Sequence, residues 1–542
     1  MQPYLLTVLI LLPFVGALAV AAHGLAPYAR KEHYRLVALI FSLVTFAASL
    51  LLLREPVGLG TGGTFHFVQN VPWVSAIGAN YHVGVDGISL WLVILTTLLL
   101  PISILSSWNS VEKRPLAFFA FLLLLESAMI GVFVSLDLLL FYLFFEASLV
   151  PMFFLIGAWG GERRLYAAVK FFIYTAVGSL LMLAGIIWLW YLYSGIPGVT
   201  GGTFDYALLL DAIQQGKISL TVGNVGTREQ AILFGLFALA FSVKVPLFPF
   251  HTWLPDAHTE APTAGSVLLA GVMLKMGTYG LLRFNFALFP EASREFAPLF
   301  IVLAVIGIIY GALVAMVQPD VKRLVAYSSV SHMGFVVLGM FSFTEWGMQG
   351  ALYQMLNHGV STGALFLLVG MIYERRHTRM ISEFGGLSKP MPLFATLLVF
   401  TSLSSVGLPL LNGFVGEFLI MFGMWNSPIN FVFSLFGRDY HLNAWIVTML
   451  AATGVIWAAV YMLWMLQRVL FGRVTNPENR GLSDLNWREI GLLTPLLILM
   501  LYMGAYPRPF LARARASVEA VRARVVSEGS QGVFHAEARE TK

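Results

Sequence analysis

The amino-acid sequence predicts an all-α membrane protein of about fourteen transmembrane helices. Three observations support this fold class: 58% of the 542 residues are hydrophobic, only 11% are charged, and the mean hydropathy is +0.80. Soluble domains have roughly 45–50% apolar and about 25% charged residues, so a soluble fold is excluded. Apolar runs of about 20 residues, each long enough to cross a bilayer, follow one another along the chain.

We number the predicted membrane-crossing segments as spans 1 to 14. The first run is read as a retained helix because no Lys or Arg precedes it, as a signal peptide would require. Several runs are too long for one straight crossing, so they require a tilt or a break. The predicted spans are 4–22, 34–53, 87–108, 115–134, 136–157, 165–194, 229–255, 262–284, 296–317, 322–343, 346–374, 390–425, 441–471 and 488–506.

Basic residues are distributed unequally between the loops. Loops that follow odd-numbered spans are rich in Lys and Arg, for example Lys322 and Arg323, and those that follow even-numbered spans are poor in them. The positive-inside rule then places odd loops in the cytoplasm and both termini in the periplasm of a bacterial inner membrane. The basic residues left in even loops are Arg54, Lys217, Arg228, Arg283, Arg294 and Arg438.

A weak internal repeat divides the chain. The segment AAVKFFIYTAVGSLLML from Ala167 in span 6 resembles ALYQMLNHGVSTGALFL from Ala351 in span 11, although chance similarity is the alternative explanation. An odd number of spans separates the two, which predicts inverted five-helix repeats, as in transporters. The predicted divisions are 1–114 (spans 1–3), 115–284 (spans 4–8), 296–471 (spans 9–13) and 472–542 (span 14 and an amphipathic tail).

In that tail, residues 509–526 are predicted to form an interfacial amphipathic helix. The residues on its apolar side are Leu511, Val518, Val521 and Val525.

Many ionisable residues fall within the predicted spans. Each costs roughly 2.5–3.5 kcal/mol at the bilayer centre even on the lenient insertion scale, so each needs a partner, water or a function. Together they predict a hydrated interior that carries protons. The residues are Glu126, Asp137, Glu146, Lys170, Lys244, Lys275, His332, His358 and Glu417.

Two of these residues lie where a helix is predicted to break. In span 7, Pro246 and Pro249 follow Lys244. In span 12, the segment GLPLLNGFVGEF contains both Pro409 and Glu417. Broken helices at matching places in two repeats indicate an ion site, whereas simple packing kinks are the structural alternative.

Lysine suits a proton relay because burial and a neighbouring carboxylate shift its pKa in opposite directions, and Glu146 is the natural partner for Lys244. Lys275 lies near the middle of span 8 and is the strongest single candidate. His332 and His358 can pass a proton through either ring nitrogen, although a lone buried histidine is often only a hydrogen-bonding group. Lys170, Glu126 and Asp137 are weaker candidates.

The sequence contains neither cysteine nor a glycine-rich nucleotide fingerprint. No cofactor is therefore expected on this chain. His251, Asp256 and His258 in HTWLPDAH resemble metal ligands, but the proline and the position between spans favour a segment that caps a half-channel over a metal site.

The run HTWLPDAHTEAPTAGSVLLAGVMLKMGTYG, from His251 to Gly280, resembles NuoM-type subunits of respiratory complex I, within the larger family of complex I and Mrp antiporter-like subunits. The resemblance extends over nearly the whole chain. It includes VGVDGISL at Val83, FEASLVPM at Phe145, QPDVKRLVAYSSVSHMGF at Gln318, NHGVSTGALFLLVG at Asn357 and GLPLLNGFVGEF at Gly407.

The resemblance implies fourteen helices with two inverted repeats and discontinuous helices 7 and 12. It also implies a proton-pumping role in an NADH:quinone oxidoreductase, with neighbouring antiporter-like chains as partners and with flavin and iron–sulfur clusters in other subunits. The roles it implies are a modulating ion pair of Glu146 and Lys244, a central relay at Lys275, a continuation through His332 and His358, and a terminal carrier at Glu417.

Three alternatives remain at this point: an Mrp-type cation/proton antiporter, a membrane subunit of an energy-converting hydrogenase, and a structural scaffold. The scaffold leaves the buried charges unexplained.

Overall fold

The computed structural model describes residues 4–24, 31–59, 63–218, 220, 226–429, 431–435 and 438–527. Arg30 of the first basic loop and residues 528–542 of the predicted tail lie outside the described residues. Within these ranges twelve helices are long and apolar enough to cross a membrane. They are span 1 (Leu5–Gly24), 2 (Glu32–Arg54), 3 (Ser89–Ser106), 4 (Pro115–Val134), 5 (Leu138–Trp159), 6 (Arg164–Ser194), 8 (Thr263–Leu288), 9 (Ala297–Met316), 10 (Val321–Phe341), 11 (Glu345–Arg376), 13 (Ala444–Leu470) and 14 (Trp487–Ala505).

Spans 7 and 12 are each split into two helices, as the sequence predicts. Span 7 consists of Gly226–Lys244 and Trp253–Glu260, and span 12 of Pro392–Val406 and Asn412–Trp425. With these two, the described residues contain fourteen predicted crossings, and the all-α membrane fold is confirmed.

Proline explains the break in span 7. Pro246 has no N–H to donate to the carbonyl of Ser242, and Leu247 N donates to that carbonyl instead, at 2.9 Å. The carbonyl of Val243 is thereby left without its usual partner, and the indole Nε1 of Trp253 donates to it at 2.9 Å. A tryptophan of the second half-helix thus compensates the broken backbone of the first, as burial away from water requires.

Span 8 contains two π-helical turns that the sequence analysis did not predict. They cover Leu269–Met273 and Leu281–Asn285 and leave Leu274–Gly280 as a short α-helical segment between them. This span is entirely buried within the bundle. π-turns concentrate at functional sites because they displace backbone carbonyls from the regular ladder.

Two β-hairpins lie between spans that were predicted to be joined by irregular loops. Strand β1 (His66–Val74) pairs antiparallel with β2 (Ala79–Val85), and β3 (Phe431–Leu435) pairs with β4 (Arg438–Leu442). Span 13 accordingly begins at Ala444 and not at the predicted 441.

The first hairpin is joined to the segment after span 6 by a buried contact. His82 Nδ1 in β2 lies 2.6 Å from Asp205 Oδ2, and Asp205 also caps the helix Tyr206–Gln214. Burial raises the pKa of Asp205, but hydrogen bonds from His82 and from two backbone amides outweigh it, so the pKa lies below its usual value.

The segment predicted to be an interfacial amphipathic helix forms the helix Arg508–Ser527, which packs against the bundle. Val518, Val521 and Val525 are buried against the bundle and do not face a lipid interface. The guanidinium of Arg513 donates to the carbonyls of Leu53, Glu55 and Val57 at the end of span 2. This helix is therefore a strap across one end of the bundle.

Two charges assigned to loops from the sequence lie inside helices. Arg283 is buried in span 8, which continues to Leu288, and Lys322 is buried at the start of span 10. The tally of basic residues counted both with the neighbouring loops, although the predicted spans 262–284 and 322–343 already contained them.

Spans 11 and 12 approach each other closely through glycine. A Cβ on Gly423 would overlap the backbone of Gly347, whereas a Cβ on Gly307 in span 9 would meet no atom within 4 Å. Close approach through small residues is a common means of helix association in membranes.

We therefore expect Gly423→Ala to destabilise the protein by about 1–3 kcal/mol, the usual cost of overpacking. The measurement is the thermal unfolding midpoint of the purified protein. Gly307→Ala is the matched control and should leave the midpoint unchanged or slightly raised, because alanine has the higher helix propensity. Equal midpoints for both variants would contradict the tight contact.

Candidate functional site

The ammonium of Lys275 lies at the centre of the bundle, completely buried. It follows the first π-turn of span 8 and donates to the carbonyl of Ala270 within that turn. Its Nζ also lies 2.6 Å from Nδ1 of His358 in span 11. A carbonyl of the π-turn therefore accepts a hydrogen bond from the ammonium while the ammonium stays in contact with the imidazole of His358.

Two further residues extend this contact toward span 12. The rings of His358 and His332 have centroids 5.9 Å apart, and Nδ1 of His332 lies 3.0 Å from Oε1 of Glu417. Lys275, His358, His332 and Glu417 thus form one row from span 8 to the second half of span 12. Four of the six predicted site residues are brought together in this row.

A buried polar network, which the sequence analysis missed, surrounds the break in span 12. Gln354 Nε2 donates to Glu417 Oε1 at 3.1 Å, and Asn357 Nδ2 donates both to Gln354 and to the backbone carbonyl of Asn412. Ser404 Oγ donates to Asn412 Oδ1 at 2.5 Å. Two turns of span 11 therefore hold the broken backbone and the carboxylate together.

The amide of Asn412 is the centre of this network. Its oxygen also accepts from Ser361 Oγ, and its Nδ2 lies within 3.4 Å of the carbonyl of Asn357 and within 3.2 Å of Ser361 Oγ. The position next to Gly413 in GLPLLNGF was the available signal, because polar residues beside a buried helix break are needed to satisfy its backbone.

Glu146 and Lys244 are both in the first half of the chain and are arranged differently. Among the described residues, Nζ of Lys244 and Oε1 of Glu146 have no hydrogen-bond partner. The ammonium lies 4.8 Å from the ring centroid of Phe145 and 5.7 Å from that of Phe171. The two charges interact electrostatically across a gap and do not form the direct ion pair that the family resemblance implies.

The break at Glu146 has a local cause. Span 5 is interrupted at Ser148, between the helices Leu138–Ala147 and Leu149–Trp159. Pro151 cannot donate to the carbonyl of Ala147, which weakens the helix one residue after Glu146.

The weaker candidates have separate environments. Lys170 Nζ lies 2.7 Å from Asp256 Oδ2. Asp256, a residue of the metal-like motif HTWLPDAH, is thus held in an ion pair. Asp137 caps span 5 through the amides of Leu139 and Leu140. The carboxylate of Glu126 is buried in span 4, and neither oxygen has a hydrogen-bond partner among the described residues.

Lys322 and Arg379 hold the end of the second half of span 7. Lys322 Nζ donates to the carbonyl of Ala261, and Arg379 donates to that of Thr259. Arg379 also pairs with Asp320 at 3.2 Å. Cations at a helix C-terminus satisfy its free carbonyls and complement its dipole, so these two fix the half-helix.

Comparison with known proteins identifies the family to which this chain belongs. The model of the family "NADH:quinone oxidoreductase/Mrp antiporter, TM" matches residues 135–438, and that of the chain 4 amino terminus of NADH-ubiquinone oxidoreductase matches residues 28–135. The chain belongs to this family. Residues 135–438 contain Glu146, Lys244, Lys275, His332, His358 and Glu417.

Relatives of the family match nearly the full length. NADH-quinone oxidoreductase subunit M of Rickettsia prowazekii is 44% identical over 89% of this chain and 91% of its own, and that of Rhodobacter capsulatus is 44% identical over 93% of each. A chain of respiratory complex I from Thermus thermophilus superposes with a TM-score of 0.80 at 33% identity, covering 96% of this chain and 99% of that chain.

The polar network provides a test of its own. Asn412→Ala removes the side-chain amide that contacts Ser361, Ser404 and the backbone carbonyl of Asn357, and the loss of a buried hydrogen-bonding partner costs about 1–3 kcal/mol. We expect a clear fall in the unfolding midpoint. Asn426→Ala at the exposed end of the same span removes one exposed hydrogen bond and is the control. A similar midpoint for both variants would show that the network does not hold the break.

Proposed function

We propose that this chain is the chain-M-type, proton-translocating subunit of the membrane arm of an NADH:quinone oxidoreductase. The row Lys275, His358, His332 and Glu417 carries the proposal, because it connects four protonatable groups through the second half of the bundle. Full-length similarity to subunit M relatives and to a complex I chain supports the identity of the complex.

The row can move a proton by short steps. The ammonium of Lys275 donates to Nδ1 of His358, and the proton on the other ring nitrogen is then free to leave. Among the described residues Nε2 of His358 has no partner, so it is available for a water or for the neighbouring ring of His332. His332 then exchanges the proton with Glu417 through the 3.0 Å contact.

In this proposal, Lys244 and Glu146 in the first half of the chain regulate proton movement through the row. Lys244 is buried, Glu146 is half-buried, and the two interact without touching, so a small displacement of either one changes the electrostatic field strongly. Redox energy released in partner subunits would act by such displacements. Residues 115–284 and 296–471 are inverted repeats in this proposal, supported by the matching breaks in spans 7 and 12 and by the long spans 6 and 11.

The proposal also places the chain in its complex. Both termini are periplasmic in a bacterial inner membrane, as the distribution of Lys and Arg indicates. Neighbouring antiporter-like chains adjoin it within the bilayer. Flavin and iron–sulfur clusters belong to other subunits, and this chain contributes no cysteine to them.

We expect Lys275→Ala to abolish most NADH-driven proton translocation by the reconstituted complex while assembly is retained. Loss of a proton-transfer group typically slows transfer by about 10²-fold or more. The measurement is the pH gradient formed per NADH oxidised, together with the subunit composition of the purified complex. Lys389→Ala, in an exposed loop, is the control with the same residue type. Full pumping by Lys275→Ala would refute the relay.

An Mrp-type cation/proton antiporter is the second candidate, because the matching family model includes those proteins. The two functions predict different partners and activities. Purification in mild detergent with flavin-containing and iron–sulfur subunits and quinone-linked NADH oxidation would support the complex I function. Sodium-dependent proton exchange in vesicles, with no NADH-linked activity, would support the antiporter instead.

A further inference from the structure

Beyond Lys275, span 8 contains a buried ion pair that the proposed relay does not use. Arg283 Nη2 lies 2.5 Å from Asp86 Oδ1, and the two side chains are only 3% and 2% exposed. Asp86 stands at the start of span 3, where its Oδ1 also accepts from the backbone amides of Ile88 and Ser89 at 3.1 Å. The carboxylate is therefore fixed, and it fixes the guanidinium.

Tyr279 lies between this ion pair and Lys275 along the same helix. Its hydroxyl accepts from Nε of Arg283 at 3.3 Å and donates to the carbonyl of Phe133 at 3.0 Å. Lys275 and Tyr279 are four residues apart in one α-helical segment and share a face. Eight residues of helix separate Lys275 from Arg283, a distance of about 12 Å along the axis.

A cavity of about 260 Å³, lined by both charged and apolar side chains, adjoins the ion pair on its other side. Its lining residues include buried Asp86, Arg283 and Tyr206 and exposed Asp211, and Ser517 and Arg524 of the C-terminal helix form part of its wall. Because water occupies about 30 Å³ per molecule in the liquid, the cavity has room for several waters. It extends from the surface to the guanidinium on the face predicted to be periplasmic.

A proton that moves from this cavity toward Lys275 along span 8 meets Arg283 first, because Arg283 lines the cavity and Lys275 lies further along the same helix. Arginine remains protonated in proteins and cannot act as a stepping stone. A fixed positive charge in a narrow polar path repels hydronium, as it does in water-conducting pores. The aromatic rings of Phe65 and Tyr279, 5.0 and 5.4 Å from the guanidinium carbon, leave the charge enclosed by side chains.

We propose that Arg283, held by Asp86, is a charge barrier that separates Lys275 from the periplasmic cavity and so prevents protons from returning along span 8. The inference rests on the proposed relay. It adds a residue that sets the direction of the relay, because Lys275 is in contact with His358, from which the row continues through His332 to Glu417. A purely structural role of the pair in joining spans 3 and 8 is the alternative.

The test is passive proton entry into vesicles that contain the complete complex, driven by a potassium diffusion potential and followed with an internal pH dye, without NADH. We expect Arg283→Gln to raise the entry rate about tenfold or more, because one unit charge a few ångströms away changes the barrier to a cation substantially. Arg283→Lys keeps the charge and should remain at the wild-type rate.

A second substitution shows where the leak runs. If protons pass through the relay, Lys275→Ala in the Arg283→Gln background should restore the wild-type rate. A leak that persists in this double variant reflects a packing defect, and a wild-type rate in Arg283→Gln alone shows that there is no barrier; either result overturns the proposal. If Arg283→Gln does not assemble, Asp86→Asn with Arg283→Gln removes both charges and preserves a hydrogen-bonding pair, with the same expected leak.

These experiments separate the barrier from the pumping function. NADH-driven pumping by Lys275→Ala tests the relay, whereas the leak is measured with no redox substrate. Normal pumping by Lys275→Ala together with a leak that depends on Lys275 would retain the barrier and refute the proposed relay.

Discussion

The absence of hydrogen-bonding partners in the hydrocarbon core of the membrane governs this structure. Every charge and every freed backbone group in the middle of the bundle must be satisfied by the protein or by trapped water. The indole of Trp253 satisfies a freed carbonyl at the break in span 7, and the amide of Asn357 satisfies the carbonyl of Asn412 at the break in span 12. The polar side chains of the interior are therefore required by the broken helices as well as by the chemistry.

Two groups of residues meet this requirement in opposite ways. Lys275 of the first predicted repeat forms a connected row with the two histidines and Glu417 of the second, with additional support from Gln354. In the first half, Lys244, Glu146 and Glu126 have buried polar atoms without hydrogen-bond partners among the described residues. A satisfied network is rigid, whereas isolated buried charges respond strongly to small movements. The connected row and the isolated charges therefore differ in how strongly they respond to a displacement of their neighbours.

Sequence reasoning predicted the features that depend on the free-energy cost of burying charges and on the covalent geometry of proline. Lysines and glutamates in apolar runs are identified by the expense of burying them, and Pro246 and Pro409 mark helix breaks because they lack an N–H. The position of Lys275, the split spans and the amphipathic C-terminal helix all follow from such local signals.

Features that depend on contacts between distant segments were not predictable in this way. The partner of Arg283 lies 197 positions away at Asp86, and the residues that hold Glu417 are His332 on span 10 and Gln354 on span 11. The π-turns of span 8 leave no composition signal, because they follow from how Lys275 and the neighbouring helices pack. Residue types alone do not specify the distance between two side chains, so the lack of direct contact between Glu146 and Lys244 was not predictable.

The strap formed by the C-terminal helix bears on how the protein is made. Arg513 donates to carbonyls at the end of span 2 that precede it by 456 to 460 residues, and Ser517 accepts from the amide of Gly87 at the start of span 3. During synthesis the early spans enter the membrane long before this helix exists. The ends of spans 2, 3 and 8 on that face consequently stay uncovered until this helix emerges, so the strap can close only after all the spans that it contacts have been made.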